Sequence, residues 1–254
     1  MGATHLLFHN QGRGRPIGGG VGIPTDIAGL QLWLDGSDIT TLFQDSAKTT
    51  PVTSDGDVVG AWADKSGNGN DALQATTADK PQYKTAIQNS LNVVRWNVSS
   101  DMLVVTNGIL SMPYSIYFVL RLIAQPGIVD SSPCFFNNQA NFLSHDGAND
   151  QIQFYNATGW FNSAHTITAG QQAIVGYVGA TTETFVIKNG SSETIAAALT
   201  VSANSLEIGN RSDAPVAPNV LNGDLGEILI YDSAISANDR LVIESYLNTK
   251  WAVY

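Results

Sequence analysis

From Leu30 to Tyr231 the chain is a succession of short β-type runs, each closed by a cluster of Gly, Asn, Asp or Ser. This rhythm constrains the fold more than any other feature. Ser115–Leu122 shows it best. Ile116, Phe118, Leu120 and Leu122 alternate with Tyr117, Val119 and Arg121, a period of two that belongs to a strand. Further runs are Leu30–Leu34, Val58–Trp62, Leu91–Trp96, Gln151–Tyr155, Ala173–Val178, Thr184–Lys188, Leu206–Ile208 and Leu225–Tyr231. Lys188-Asn-Gly-Ser191 reads as a hairpin, because Asn-Gly accepts positive φ at both central positions. Many short strands with turn signals predict an all-β sandwich or barrel.

One helix breaks the pattern. Ser236 is placed to cap it, with Asp239 three residues on, and Ile243, Tyr246, Leu247 and Trp251 then form one apolar face at helical spacing. Residues 1–28 differ again. Gly12-Arg-Gly-Arg-Pro-Ile-Gly-Gly-Gly-Val-Gly22 can build neither a core nor a regular element. This stretch is expected to be an extended arm that anchors on a partner, with Arg13, Arg15 and Pro16 as the anchoring residues. Residues 29–254 form the domain.

Composition narrows the function. Hydrophobic residues are 43% of the 254, enough for a core, while charged residues are only 13%, about half the usual share. The remaining polarity is neutral, which suits sugar binders, adhesins and virion proteins. A net charge of −10 with 12 Lys+Arg argues against gripping nucleic acid phosphates. Cys134 is the single cysteine, so no intrachain disulfide forms. No secretion signal and no membrane-length apolar run is visible, so a chain made in a cytoplasm is expected.

Trp62-Ala-Asp-Lys-Ser-Gly-Asn-Gly-Asn-Asp71 fits the opening of a calcium loop through Asp64, Ser66, Asn68 and Gly69. Position twelve would be Ala75, where an EF-hand needs a bidentate Glu, so an EF-hand is rejected. Two readings stay open. Asp64 and Asn68 are candidate calcium ligands, or they bond their own backbone in a glycine-bent turn.

Several segments together resemble the concanavalin A-like lectin/glucanase superfamily, in the laminin-G-like form of bacterial and phage proteins. They are Leu32-Trp-Leu-Asp-Gly-Ser37, Val59–Ala72, Pro81-Gln-Tyr83, Val93-Val-Arg-Trp96, Gly223–Asp232 and Leu241–Leu247 leading to Lys250-Trp251. The resemblance implies a two-sheet antiparallel jelly-roll sandwich. Its members include sugar binders, hydrolases and structural modules, so the fold does not choose the function.

The glucanases of that superfamily carry a Glu-x-Asp-x-x-Glu or Glu-x-Asp-x-Glu pattern, and neither occurs here. A glycosidase needs two convergent carboxyls. The nearest acids are Asp224, Glu227 and Asp232. On a regular strand Glu227 shares a face with Leu229 and Tyr231, while Asp224 and Asp232 point away. No catalytic residue is assigned, and a hydrolase is the minor alternative. His5, His9, His145 and His165 give no catalytic set. For sugar binding, the segment Asn156-Ala-Thr-Gly-Trp-Phe-Asn-Ser163 offers an aromatic for stacking and amides for hydroxyls. Asn156, Trp160 and Asn162 are the candidate ligand residues, with Asn137–Gln139 and Asp146–Asp150 as neighbours. Trp33, Trp62, Trp96 and Trp251 read as core. These features predict a non-enzymatic phage virion protein in several copies, a head-decoration, head-fibre or tail-associated part held to other subunits by its arm and displaying a lectin-like sandwich; a carbohydrate-binding adhesin for host surface glycans is the second reading. No cofactor other than calcium is expected.

Overall fold

The computed structural model describes residues 22–97, 100–123, 134–137, 142–146, 149–156, 158–200, 205–210 and 221–254. The anchoring candidates Arg13, Arg15 and Pro16, and the histidines at 5 and 9, lie outside them. Among the described residues the chain runs β1 (Leu30–Asp35), β2 (Leu42–Phe43), β3 (Ala61–Trp62), β4 (Ala72–Leu73), β5 (Gln82–Gln88), β6 (Leu91–Trp96), β7 (Leu103–Val105), β8 (Tyr114–Leu122) and β9 (Cys134–Asn137). It continues through β10 (Phe142–Asp146), β11 (Gln151–Tyr155), β12 (Trp160–Thr166), β13 (Gln172–Gly179), β14 (Thr184–Lys188), β15 (Ser191–Ile195), β16 (Leu206–Ile208) and β17 (Gly223–Tyr231) to α1 (Ala237–Trp251).

All described pairings are antiparallel and make two sheets. One has the order β15-β14-β13-β8-β17-β6-β5, with β1 also on β17; the other has the order β12-β11-β10-β9-β16-β7-β4-β3-β2. The expected two-sheet sandwich is what the chain forms. The first core lies between the sheets and includes Trp62, Trp96, Phe118, Phe154, Val175, Tyr177, Leu225 and Ile228. A second core covers the opposite face of the first sheet. There Ile243, Leu247 and Trp251 of α1 pack on Tyr117, Val119, Leu229 and Tyr231. That helix explains why both faces of β8 are buried except at Arg121. Ser236 caps α1 as expected, its hydroxyl accepting from the Asp239 amide at 3.2 Å.

Strand β17 departs from the regular strand assumed above. Its register on β8 shifts between Leu225 and Glu227. Gly226 sits at the shift, and a Cβ there would stand 2.8 Å from the Trp251 ring. Leu225 and Ile228 face the inter-sheet core, so Asp224 and Glu227 both turn to the helix side. The expected divergence of these two acids is thereby corrected: the irregularity restores them to one face. They still take separate partners. Asp224 is buried and held by Arg95 at 2.6 and 2.9 Å.

Residues 24–27, placed in the arm by sequence, pack on the sandwich. Ile27 is buried in the helix-side core, and the Pro24 carbonyl accepts from the Tyr231 hydroxyl at 3.1 Å.

Candidate functional site

Strands β11 and β12 pair antiparallel at the margin of the nine-stranded sheet, with Tyr155 opposite Trp160, Phe154 opposite Phe161, and Gln153 opposite Asn162. Alternation decides which side chains face out. Phe154 and Phe161 stack with centroids 5.2 Å apart against the inter-sheet core. Tyr155 and Trp160 must then lie on the outer face, where their rings meet at 5.3 Å with a 55° tilt. Trp160 keeps 45% of its surface exposed, an unusual placement for so large an apolar side chain. Asn162 follows two residues on, on the same face, and its Nδ2 donates to Gln151 Oε1 at 3.0 Å. The result is an exposed aromatic platform beside a paired amide surface. Ser163 points the other way and anchors the strand, donating to the Ile152 carbonyl at 2.8 Å. Glu193 of β15 closes part of the open edge by accepting from the Ala164 amide at 2.6 Å.

The three predicted ligand residues separate. Trp160 and Asn162 share the platform. Asn156 does not: it is buried, its Nδ2 donates to the Ala198 carbonyl at 2.7 Å, and its Oδ1 accepts from the Thr158 amide and hydroxyl. Asn156 shapes the turn between the strands. Tyr155 and Gln151 join the platform instead, and sequence reasoning missed both. The available signal was the hairpin itself, which sets Tyr155 across from Trp160. Asp146 pairs with Gln151 across β10 and β11, beside the platform. The side chains of Asn137–Gln139 lie outside the described residues, as do Gly147 and Ala148.

The Asp64 loop is a clamp. Asp64 Oδ1 accepts from the amides of Trp33 at 2.9 Å and Ser66 at 2.8 Å; Oδ2 accepts from the Ser66 hydroxyl at 2.7 Å and the Asn70 amide at 3.0 Å. Four donors use the lone pairs a carboxylate offers. Asn68 turns its amide nitrogen to the Leu30 carbonyl at 2.9 Å, and Asn70 does the same to Gln31 at 2.8 Å. These residues tie the loop to β1 and do not fit a calcium ion. Among the described residues no group of three or more His, Cys, Asp or Glu side chains is arranged to hold a metal.

Glu227 is equally occupied. It has no exposed surface; Oε1 accepts from Trp33 Nε1 at 2.7 Å and the Tyr246 hydroxyl at 2.8 Å, and Oε2 from Lys250 at 2.8 Å and Trp251 Nε1 at 2.7 Å. Lys250 also reaches Asp35 at 2.7 Å, the residue opposite Glu227 on β1. Burial pushes the Glu227 carboxyl up, and the Lys250 charge opposes it. At Asp35 burial also pushes upward, but Lys250 and Lys65 outweigh it and hold that carboxyl low. Two carboxyls with shifts of opposite sign resemble an acid/base pair. Here Lys250 lies between them and the indoles seal Glu227, so no substrate reaches it.

The fold recurs in solved structures of low sequence identity. Trypanosoma rangeli sialidase in complex with sialic acid matches with a TM-score of 0.58 and 13% identity, over 89% of this chain and 34% of that one. Domain 4 of AbnA, a GH43 extracellular arabinanase from Geobacillus stearothermophilus, in complex with arabinotriose, gives 0.57 and 14%, over 85% of this chain and 98% of that one. The binding domain of Paraclostridial Mosquitocidal Protein 1 gives 0.58 and 12%, over 87% and 53%. The chain spans about a third of the length of the sialidases it matches. At such identities the likeness shows the fold, a β-sandwich also built by the arabinotriose-bound domain of AbnA. No family model matches the sequence, and no curated protein matches it.

Proposed function

We propose that this chain is a non-catalytic carbohydrate-binding module whose ligand stacks on Trp160 and Tyr155 and bonds to Asn162 and Gln151. The exposure of Trp160 beside that amide pair carries the reading. A sugar ring has an apolar face for an indole and hydroxyls that both donate and accept, which suits paired amides. The likeness to an arabinanase domain holding arabinotriose supports it, because nearly all of that domain is covered. The neutral platform points to uncharged oligosaccharides, and the concanavalin A-like resemblance agrees with this class.

Trp160→Ala is the test. Its exposed position makes a large loss of stability unexpected, while loss of the stacking surface should weaken oligosaccharide binding at least about tenfold. A glycan array followed by calorimetry reads this directly. Wild-type protein that binds no neutral glycan, or a Trp160→Ala variant that binds as wild type does, overturns the reading. Display on a virion through the N-terminal arm, as one of several copies, is a proposal resting on the sequence alone.

A further inference from the structure

On the helix side of the molecule a recess of about 150 Å³ opens between α1 and the β14–β15 hairpin, lined by Gly190, Ser192, Ala237, Arg240, Leu241 and Glu244. It uses none of the Trp160 platform. Asn189 and Gly190 both take positive φ, at 49° and 81°, as the hairpin turn requires. Glycine at 190 also keeps the recess open, because a Cβ there would stand 3.3 Å from the Tyr254 hydroxyl and 3.7 Å from Glu244 Oε2. The Tyr254 hydroxyl and the Glu244 carboxylate therefore both lie beside the turn. Arg240 lies one helical turn before Glu244, its guanidinium over the Phe185 ring at 5.0 Å. Its Nη1 is buried and has no partner among the described residues. Burial pushes the Glu244 carboxyl up, and the Arg240 charge opposes it. Two exposed apolar side chains flank the polar floor, Leu241 at 65% and Tyr254 at 56%. The Tyr254 backbone is fixed in place, since Asn248 accepts from its amide at 2.9 Å and donates to its carbonyl at 2.7 Å.

We propose that this recess is a second ligand site, for a neutral polyhydroxylated group such as one sugar residue. The chemistry selects that class. Glu244 accepts, Arg240 donates, and the hydroxyls of Ser192 and Tyr254 do both. A free anion meets the Glu244 carboxylate and a free cation meets the Arg240 guanidinium, whereas vicinal hydroxyls satisfy both. The C–H face of the same ring covers Leu241 and the Tyr254 ring. Together with the Trp160 platform, a second site makes the module bivalent for a glycan surface.

The test follows backbone amide shifts by NMR on the full chain, titrated separately with glycerol, neutral monosaccharides and neutral oligosaccharides at about 10 mM, where a millimolar ligand is largely bound. The expected result is saturable movement of the Gly190, Ser192, Arg240 and Glu244 amides. Glu244→Gln should weaken it about tenfold or more, and Ser192→Ala, at an exposed position, should weaken it several-fold without affecting folding. Trp160→Ala should leave it unchanged, which separates this site from the platform. Movement with glycerol alone would mark a general polyol site; movement with saccharides marks a sugar subsite. Either supports the proposal. Absence of movement with every ligand, or equal movement in Glu244→Gln and Ser192→Ala, overturns it.

Discussion

His145 lies in β10 with no exposed surface, and its Nε2 bonds the Ile167 carbonyl at 2.7 Å. Its Nδ1 is buried without a partner among the described residues. The neutral ring fits: Nε2 carries the proton and donates, and Nδ1 needs none. Burial pulls the His145 pKa below its usual 6.5, although the Ile167 carbonyl and the nearby Asp150 and Asp146 act the other way. The unfolded chain binds this proton near pH 6.5 and the folded chain binds it only at lower pH. Stability should therefore fall as pH drops below about 6.5, and level off below the folded value. His145→Gln, whose amide can still donate to Ile167, should flatten that slope. Urea unfolding between pH 7 and pH 4 measures it; an identical slope in the variant would exclude His145 as the source.

At the scale of elements, Glu227 latches α1 to the sheet. The helix brings Tyr246, Lys250 and Trp251 to one carboxylate, and β1 brings Trp33. Lys250→Ala would leave Glu227 buried without its counter-charge and Asp35 without one of its two lysines. Breaking a buried pair on one side typically costs about 3–5 kcal/mol. The lower end applies here, because Lys250 is partly exposed and two indoles and a phenol still bond Glu227. Thermal melting should show the loss, and a change near zero would mean that the helix is held by Ile243, Leu247 and Trp251 alone. Much of this architecture was legible in the sequence. The alternation in β8, the Asn189-Gly190 hairpin and the Ser236 cap are local signals, and each is realised. The register shift at Gly226 was not legible, since a glycine inside a strand pattern signals either a bulge or close backbone approach, and here Trp251 supplies the approach. The two-residue strands β2, β3 and β4 carry no period at all, and they exist because β7 and the 45–60 loop hold them. The candidate site was half legible. Trp160 and Asn162 show by residue type and by spacing of two, whereas Asn156 has the same chemistry but is spent inside its turn. Residue type alone cannot tell a ligand amide from a structural one.

The described residues stack in three layers: α1, the eight-stranded sheet and the nine-stranded sheet. The chain joins this body earlier than composition suggests. The glycine-rich run ends at Gly22, and the next residues already contribute, Ile27 to the helix-side core and Pro24 to the Tyr231 hydroxyl. An arm ending at residue 28 and an arm ending at residue 21 therefore predict different truncations. Removing 1–21, a glycine-rich stretch whose sequence can build no core, should leave stability within about 0.5 kcal/mol of the full chain. Removing 1–28 exposes the pocket of Ile27 and orphans the buried Tyr231 hydroxyl, at a cost of about 2–4 kcal/mol. Denaturant midpoints of the two truncations decide between the boundaries, and equal midpoints would return residues 22–28 to the arm. The shorter deletion is also the right reagent for the anchoring proposal, because it removes Arg13, Arg15 and Pro16 while sparing the sandwich. If residues 1–21 anchor the protein to other virion subunits, that variant folds, keeps its glycan affinity and is lost from particles. Normal incorporation of the folded variant would eliminate the anchor and leave the glycan-binding reading intact.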